Sequence, residues 1–247
     1  MTLFEFAYCG NNYGTLLADL AMRSPEKWSY GSDKNNGILR NYIDYTFRRL
    51  KDEGKIIERT TYALFNTGLF DQFYKSIYAQ FTINTIPNKQ KWRLSGFLSE
   101  YQLTSMGITD NPERANYFDN PADLVFDTKL PIVPQYEHIF GDAENISRLP
   151  TSIRTNPMKE ALFNGALENA KRMLDANYKT AIPQFYNGEI QLLLPICLQA
   201  PGVPDLALVC NKTEDKTKYL GRTCLTLEMA YNNARLIAKP ESFWLKA

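Results

Sequence analysis

The sequence predicts an α+β fold, with N-terminal helices and β-hairpins packed with a C-terminal antiparallel sheet flanked by helices. Three observations carry this reading. Apolar residues recur at helical spacing twice, as Leu39, Tyr42, Ile43, Phe47 and Leu50, and as Leu162, Ala166, Ala170, Met173 and Leu174. Strand-like runs follow each stripe, and Asn187-Gly188 between two of them is a two-residue hairpin signal. The closing block, Tyr219 to Ile237, reads as an extended segment running into a helix.

Taken in order, Thr15 to Met22 is helix-prone until Pro25 and the Gly31-Ser32-Asp33-Lys34-Asn35-Asn36-Gly37 stretch break the pattern. The next helix spans Ile38 to Glu53, and Gly54 ends it. Strands are expected at Lys55–Glu58, Thr61–Phe65, Ile77–Asn84 and Trp92–Leu98, the last two joined by a turn at Pro87-Asn88. Two helices followed by two strands also fit a winged helix.

Residues 100–156 are punctuated by Asn111-Pro112, Asn120-Pro121, Leu130-Pro131, Val133-Pro134, Leu149-Pro150 and Asn156-Pro157. They read as a long irregular segment that packs through Leu124, Val125, Phe126, Ile132, Ile139 and Phe140. Asn156-Pro157 starts a helix that reaches Ala176, with Asn as cap and Pro at the first position. Strands follow at Ala181–Tyr186, Glu189–Leu198, Leu206–Asn211 and Tyr219–Cys224. No linker-like stretch separates these parts. One integrated domain over 1–247 is expected, with two lobes of about 1–100 and about 101–247.

Composition excludes several classes. The 247 residues are 44% hydrophobic and 22% charged, as in ordinary globular proteins. A net charge of +1 provides no global field for nonspecific DNA binding and leaves room for a local basic patch. No apolar run is long enough to span a bilayer, and Met1-Thr2-Leu3-Phe4-Glu5-Phe6 lacks the features of a signal peptide. The expected location is the cytoplasm, with no membrane partner. Cys9, Cys197, Cys210 and Cys224 are widely separated and the chain has one His, so buried thiols are expected rather than a zinc site. The 15 Tyr and 14 Phe suit a surface that stacks on planar ligands, and composition bias accounts for them equally well.

The candidate ligand-binding residues begin in the closing helix. Glu228, Tyr231, Asn232 and Arg235 fall on one stripe, and Leu227, Ala230, Ala234 and Ile237 fall on a core-facing one. Arg takes phosphate, Asn232 or its neighbour Asn233 reads a base edge, and Tyr stacks. The plainer reading is a solvated face carrying a Glu–Arg network. Arg222 lies one helical turn before Thr226, a candidate N-cap, and would add an anion contact. Arg114 is a further phosphate candidate. Asn66, in Phe65-Asn66-Thr67-Gly68-Leu69, ends a strand where backbone could approach a phosphate or ribose; a simple turn explains it as well.

His138, with Glu137 beside it, is the candidate catalytic residue, set against the commoner case of a structural His. The His138 segment and the closing stripe are expected to share one cleft. Asp119, Asp123 and Asp127 are spaced to hold Mg²⁺, but Asn120, Pro121 and Asp123 form a helix-capping pattern, which is favoured. No cofactor is expected, and no Walker loop, GxGxxG, GxSxG or HExxH motif occurs.

Several blocks together resemble the uncharacterised bacterial domain-of-unknown-function family 3825. They are Gly37-Ile38-Leu39-Arg40-Asn41-Tyr42, Phe47-Arg48-Arg49-Leu50, Phe65-Asn66-Thr67-Gly68-Leu69, Glu113-Arg114-Ala115-Asn116-Tyr117-Phe118-Asp119 and Tyr136-Glu137-His138-Ile139. The block from Leu220-Gly221-Arg222-Thr223 to Ala230-Tyr231-Asn232-Asn233-Ala234-Arg235-Leu236 resembles the family's closing signature. The resemblance implies no activity. Some members are joined to cold-shock or LOTUS-type RNA-binding modules, which implies RNA or nucleotide biology by association. The resulting expectation is an RNA- or nucleotide-binding protein, with hydrolysis of a phosphodiester or phosphoanhydride the reaction left open to it. The alternative is a non-catalytic nucleotide sensor or an adaptor with a protein partner.

Overall fold

The computed structural model describes residues 1–32 and 35–247, so Asp33 and Lys34 of the expected helix-breaking stretch lie outside it. The chain divides into two compact units, residues 1–116 with Ala247, and residues 117–246.

The N-terminal unit starts with a one-turn helix α1 (Leu3–Phe6), held by a capping box between Thr2 and Glu5. Then come β1 (Ala7–Tyr8), α2 (Tyr13–Arg23) and α3 (Gly37–Asp52). The strands are β2 (Ile57–Glu58), β3 (Tyr62–Phe70), β4 (Ser76–Ile83) and β5 (Trp92–Ser99), and α4 (Glu100–Ser105) follows. They form one sheet in the order β1-β5-β4-β3-β2, in which β3, β4 and β5 are an antiparallel meander and β1 pairs with β5 in parallel. α3 buries Leu39, Tyr42, Ile43, Phe47 and Leu50, the stripe that its periodicity predicts, and Ile38 and Asp44 are buried with them. A chain of aromatic rings fills the unit: Phe6 lies 5.0 Å from Phe47, Phe47 5.6 Å from Phe65, and Phe65 5.8 Å from Phe81.

Two expectations change here. β3 does not end at Phe65. It continues to Phe70 through an irregular register between Asn66 and Phe70, where Gly68 takes φ +75. A Cβ at Gly68 would lie 2.6 Å from the Tyr42 hydroxyl, so small polar residues and a glycine mark a bulge inside the strand rather than its end. The winged-helix alternative is not what forms, because the meander is widened at its two edges by β1 and β2 into a five-stranded sheet.

The C-terminal unit contains β6 (Ile132–Pro134), α5 (Tyr136–Gly141), α6 (Ala143–Arg148), α7 (Thr151–Arg154) and α8 (Lys159–Ala176). It continues with β7 (Ile182–Tyr186), β8 (Glu189–Ile196), β9 (Leu206–Lys212), β10 (Tyr219–Leu225) and α9 (Leu227–Arg235). The sheet order is β6-β10-β9-β8-β7. β7 to β10 are antiparallel, and the Asn187-Gly188 hairpin has positive φ at both residues, 50° and 85°. β6 pairs with β10 in parallel, so the sheet is mixed rather than purely antiparallel as expected. Leu130-Pro131 and Val133-Pro134 signalled a loop, yet proline is tolerated on an edge strand, which β6 is.

Leu192, Leu194, Leu208, Cys210 and Tyr219 cover one sheet face and pack with Phe163, Ala166, Leu167, Ala170 and Leu174 of α8. The Asn156 side chain accepts from the Met158 amide at 2.8 Å, and the regular helix begins at Lys159. The buried stripe therefore includes Phe163 and Leu167, while Leu162 is exposed. The segment expected to be irregular holds β6 and four short helices, α4 to α7. Each is too short to display a period, and α6 is set by the Asp142 carboxylate, which accepts from the Glu144 and Asn145 amides. All four cysteines are free thiols, and burial pushes Cys224 up to about 12.

Asn120 caps a single 3-10 turn, Pro121–Leu124, by accepting from the Ala122 amide at 3.1 Å, with Asp123 in the first turn. Among the described residues no group of three or more His, Cys, Asp or Glu side chains could hold a metal ion. The capping pattern sets the energetics. Asn120→Ala should lower stability by about 1 kcal/mol and Asp123→Asn by no more than about 0.5 kcal/mol in thermal melts. Equal losses for both would remove the distinction between cap and surface carboxylate.

Candidate functional site

The closing helix α9 is started by Thr226, whose hydroxyl accepts from the Met229 amide at 3.3 Å. Ala230 and Ala234 are buried as expected, whereas Leu227 and Ile237 are half-buried. Tyr231 and Arg235 are also buried, at 3% and 8% exposure, so the expected polar stripe is not an open surface. Each follows a buried alanine by one residue, about 100° around the helix, and the short helix buries that whole arc against β7, β9 and β10. Glu228 stays exposed.

The two asparagines differ. The Asn233 side chain donates to Gln184 at 3.1 Å, and Gln184, itself buried, donates to Gln191 at 2.7 Å. This row of amides runs from α9 across β7 to β8. Asn232 presents a buried Oδ1 with no partner.

His138 and Glu137 lie on α5 with exposed side chains. The main chain of His138 is tied to the closing block. Its carbonyl accepts from Asn145 at 3.0 Å, and the Asn145 Oδ1 accepts from Arg148 at 2.9 Å and from the Thr223 hydroxyl. Arg148 also donates to the Cys224 carbonyl at 3.1 Å and pairs with Glu144. Arg222 is exposed where the β10 register shifts between Gly221 and Thr223. α5, α6 and the start of the closing block thus share one polar network. Among the described residues nothing hydrogen-bonds to the His138 ring.

Asn66 and Arg114 belong to the N-terminal unit and meet at the Gly68 bulge. Asn66 is buried, with its Nδ2 donating to the Pro112 carbonyl at 3.2 Å and its Oδ1 accepting from the Gly68 amide at 2.9 Å. The Arg114 guanidinium reaches the Gly68 carbonyl at 3.5 Å and sits 4.9 Å over the Phe70 ring. Both side chains hold the bulge in shape.

A cleft of about 320 Å³ in the C-terminal unit joins Asp123 to residues that the sequence left without a binding role. Tyr117, Phe118 and Asp123 line one side, and Glu189, Asn211, Lys212 and Tyr219 come from β8, β9 and β10. Tyr219 stacks on Phe126 at 4.1 Å, and its hydroxyl accepts from the Asp127 amide at 3.0 Å. Burial pushes the Tyr219 phenol above its ordinary range, so it stays protonated. The Lys212 ammonium lies 5.6 Å over the same ring. Tyr117 is steadied by an edge contact with Phe185 at 4.9 Å. Its neighbours were legible as a capping motif. Lys212 and Asn211 gave no local signal, because their place in the cleft depends on the pairing of β9 with β10.

These features define an α+β protein with two mixed five-stranded sheets and a polar, aromatic-lined cleft on the second. The chain belongs to the family described as Domain of unknown function (DUF3825), which matches residues 17–244. No curated protein and no solved structure matches it. No helix among the described residues is long and apolar enough to cross a membrane.

Proposed function

We infer that the chain binds a nucleotide in the cleft of its C-terminal unit. The observation that carries this reading is the juxtaposition of the half-buried Tyr117 and Phe118 rings with Lys212 and Asn211. An aromatic face supplies stacking for a base, an ammonium attracts phosphate, and an amide matches a base edge. The volume of about 320 Å³ lies at the lower end of small-molecule sites, which suits one nucleotide better than a length of RNA. Binding is favoured over hydrolysis because no described partner orients the His138 ring or sets its tautomer.

Isothermal titration with mononucleotides and with a short single-stranded RNA tests the reading. Tyr117→Ala should weaken nucleotide binding by about tenfold, since a stacked base contributes ~1–3 kcal/mol. Lys212→Glu should weaken it as well, and His138→Ala should leave it unchanged. Mononucleotide affinity should fall modestly with salt. A steep fall seen only with the oligonucleotide would make RNA the ligand. Binding of neither, or full affinity in both cleft variants, would sink the proposal.

A further inference from the structure

The start of α2 leaves its backbone N–H groups uncapped. Asn12 holds the N-cap position without a side-chain hydrogen bond, and no acidic residue lies in the first turn of this 11-residue helix. Such a helix start concentrates unsatisfied donors and positive potential. A cavity of about 430 Å³ lies beside it, lined by Tyr8, Cys9, Gly10, Tyr13, Arg40 and Gln90 among others.

Two side chains of this cavity carry buried polar atoms without partners. Tyr13 is 5% exposed and its hydroxyl makes no hydrogen bond. Burial pushes the phenol well above its ordinary range, so the hydroxyl remains a donor. The Gln90 Nε2 donates to the Phe4 carbonyl at 2.7 Å, which fixes the amide and leaves its buried Oε1 as an open acceptor. A buried polar atom is costly to leave without a partner, and two of them belong to residues that line this one cavity.

The charges around the cavity favour an anion. The Arg40 guanidinium from α3 lies 5.5 Å from the centre of the Tyr13 ring, and among the described residues no carboxylate pairs with it. The Lys89 ammonium is 5.7 Å from the Tyr8 ring. The nearby acid, Asp44, is paired with Arg48 at 2.6 Å and accepts from the Leu3 amide at 3.0 Å. Cys9 does not compete as a nucleophile, because burial pushes its thiol up to about 12. Gly10, at φ +70, turns the backbone there as few other residues would.

We propose that this cavity binds a small phosphate monoester that carries a hydroxyl close to its phosphate. The phosphate oxygens accept from Arg40, from the Tyr13 hydroxyl and from the first-turn amides of α2. The ligand hydroxyl donates to the Gln90 Oε1. Donors from two helices and a phenol exceed what the two oxygens of a carboxylate use well, and match a phosphate dianion. The site shares no residue with the C-terminal cleft and does not depend on the nucleotide reading.

The experiment is calorimetric titration of the full chain with inorganic phosphate and with ribose 5-phosphate. Both should bind, the sugar phosphate more tightly. Arg40→Ala and Tyr13→Phe should each weaken both ligands by about fivefold or more, as expected for a hydrogen bond of ~1 kcal/mol or better. Gln90→Ala should weaken the sugar phosphate alone, and Lys212→Glu should change neither. Tyr13→Phe removes an unpartnered hydroxyl, so its melting temperature without ligand should not fall, which separates lost binding from lost folding. If neither ligand binds, or if Arg40→Ala and Tyr13→Phe bind as the natural chain does, the cavity holds only water and the proposal fails. Equal affinity for the two ligands would overturn the role of Gln90 and with it the assigned ligand class.

Discussion

Phe163→Ala should cost about 3–5 kcal/mol, the range for emptying a fully buried aromatic site. Phe163 is 0% exposed at the centre of the C-terminal unit. Its ring meets the edge of Phe140 at 5.7 Å and that of Tyr136 at 6.2 Å, both on α5. The loss would therefore reach beyond stability, because these rings seat the helix that carries His138. Urea denaturation gives the cost, and hydrogen exchange in Tyr136–Gly141 reports the loosening. A loss under about 1 kcal/mol with unchanged exchange would show that α8 does not anchor α5.

Arg148→Ala should cost about 2–3 kcal/mol, since hydrogen bonds from a charged donor contribute ~1.5–3 kcal/mol and their loss leaves acceptors unpaired. The Arg148 side chain is 13% exposed, and its guanidinium joins Asn145, Thr223 and the Cys224 carbonyl. The pair with Glu144 adds little, because that carboxylate is 77% exposed and screened by solvent. Arg148→Lys should recover only part of the loss, as a single ammonium lacks the guanidinium fork. Faster amide exchange at Thr223 and Cys224 would accompany the loss. Unchanged protection there would mean that the network does not hold the closing block.

Long, strongly periodic elements were legible because their pattern repeats. α3 shows five apolar residues at helical spacing on its core face, and the Asn187-Gly188 hairpin announces itself by residues suited to positive φ. α8 was legible as a helix but offset in face, since Asn156 caps a preceding turn and the regular helix starts three residues later. The four-residue α7 and the three-residue β6 left no periodic trace, and Pro134, which looked like a loop signal, sits on an edge strand.

The sequence by itself determined the fold class, the family and the helix and strand that carry the closing block. Local chemistry suffices for these, because propensity, caps and periodicity act within a few residues of one another. Only the tertiary structure decided which polar residues are available. Asn66 reads as a ligand contact in sequence, yet its amide is used up within the Gly68 bulge. Tyr231 and Arg235 read as a surface stripe, yet α9 buries them. Lys212 meets Tyr219 through strand pairing, and Arg40 reaches Tyr13 from another helix. Burial and partnership depend on residues far apart in the chain, so no local pattern encodes them.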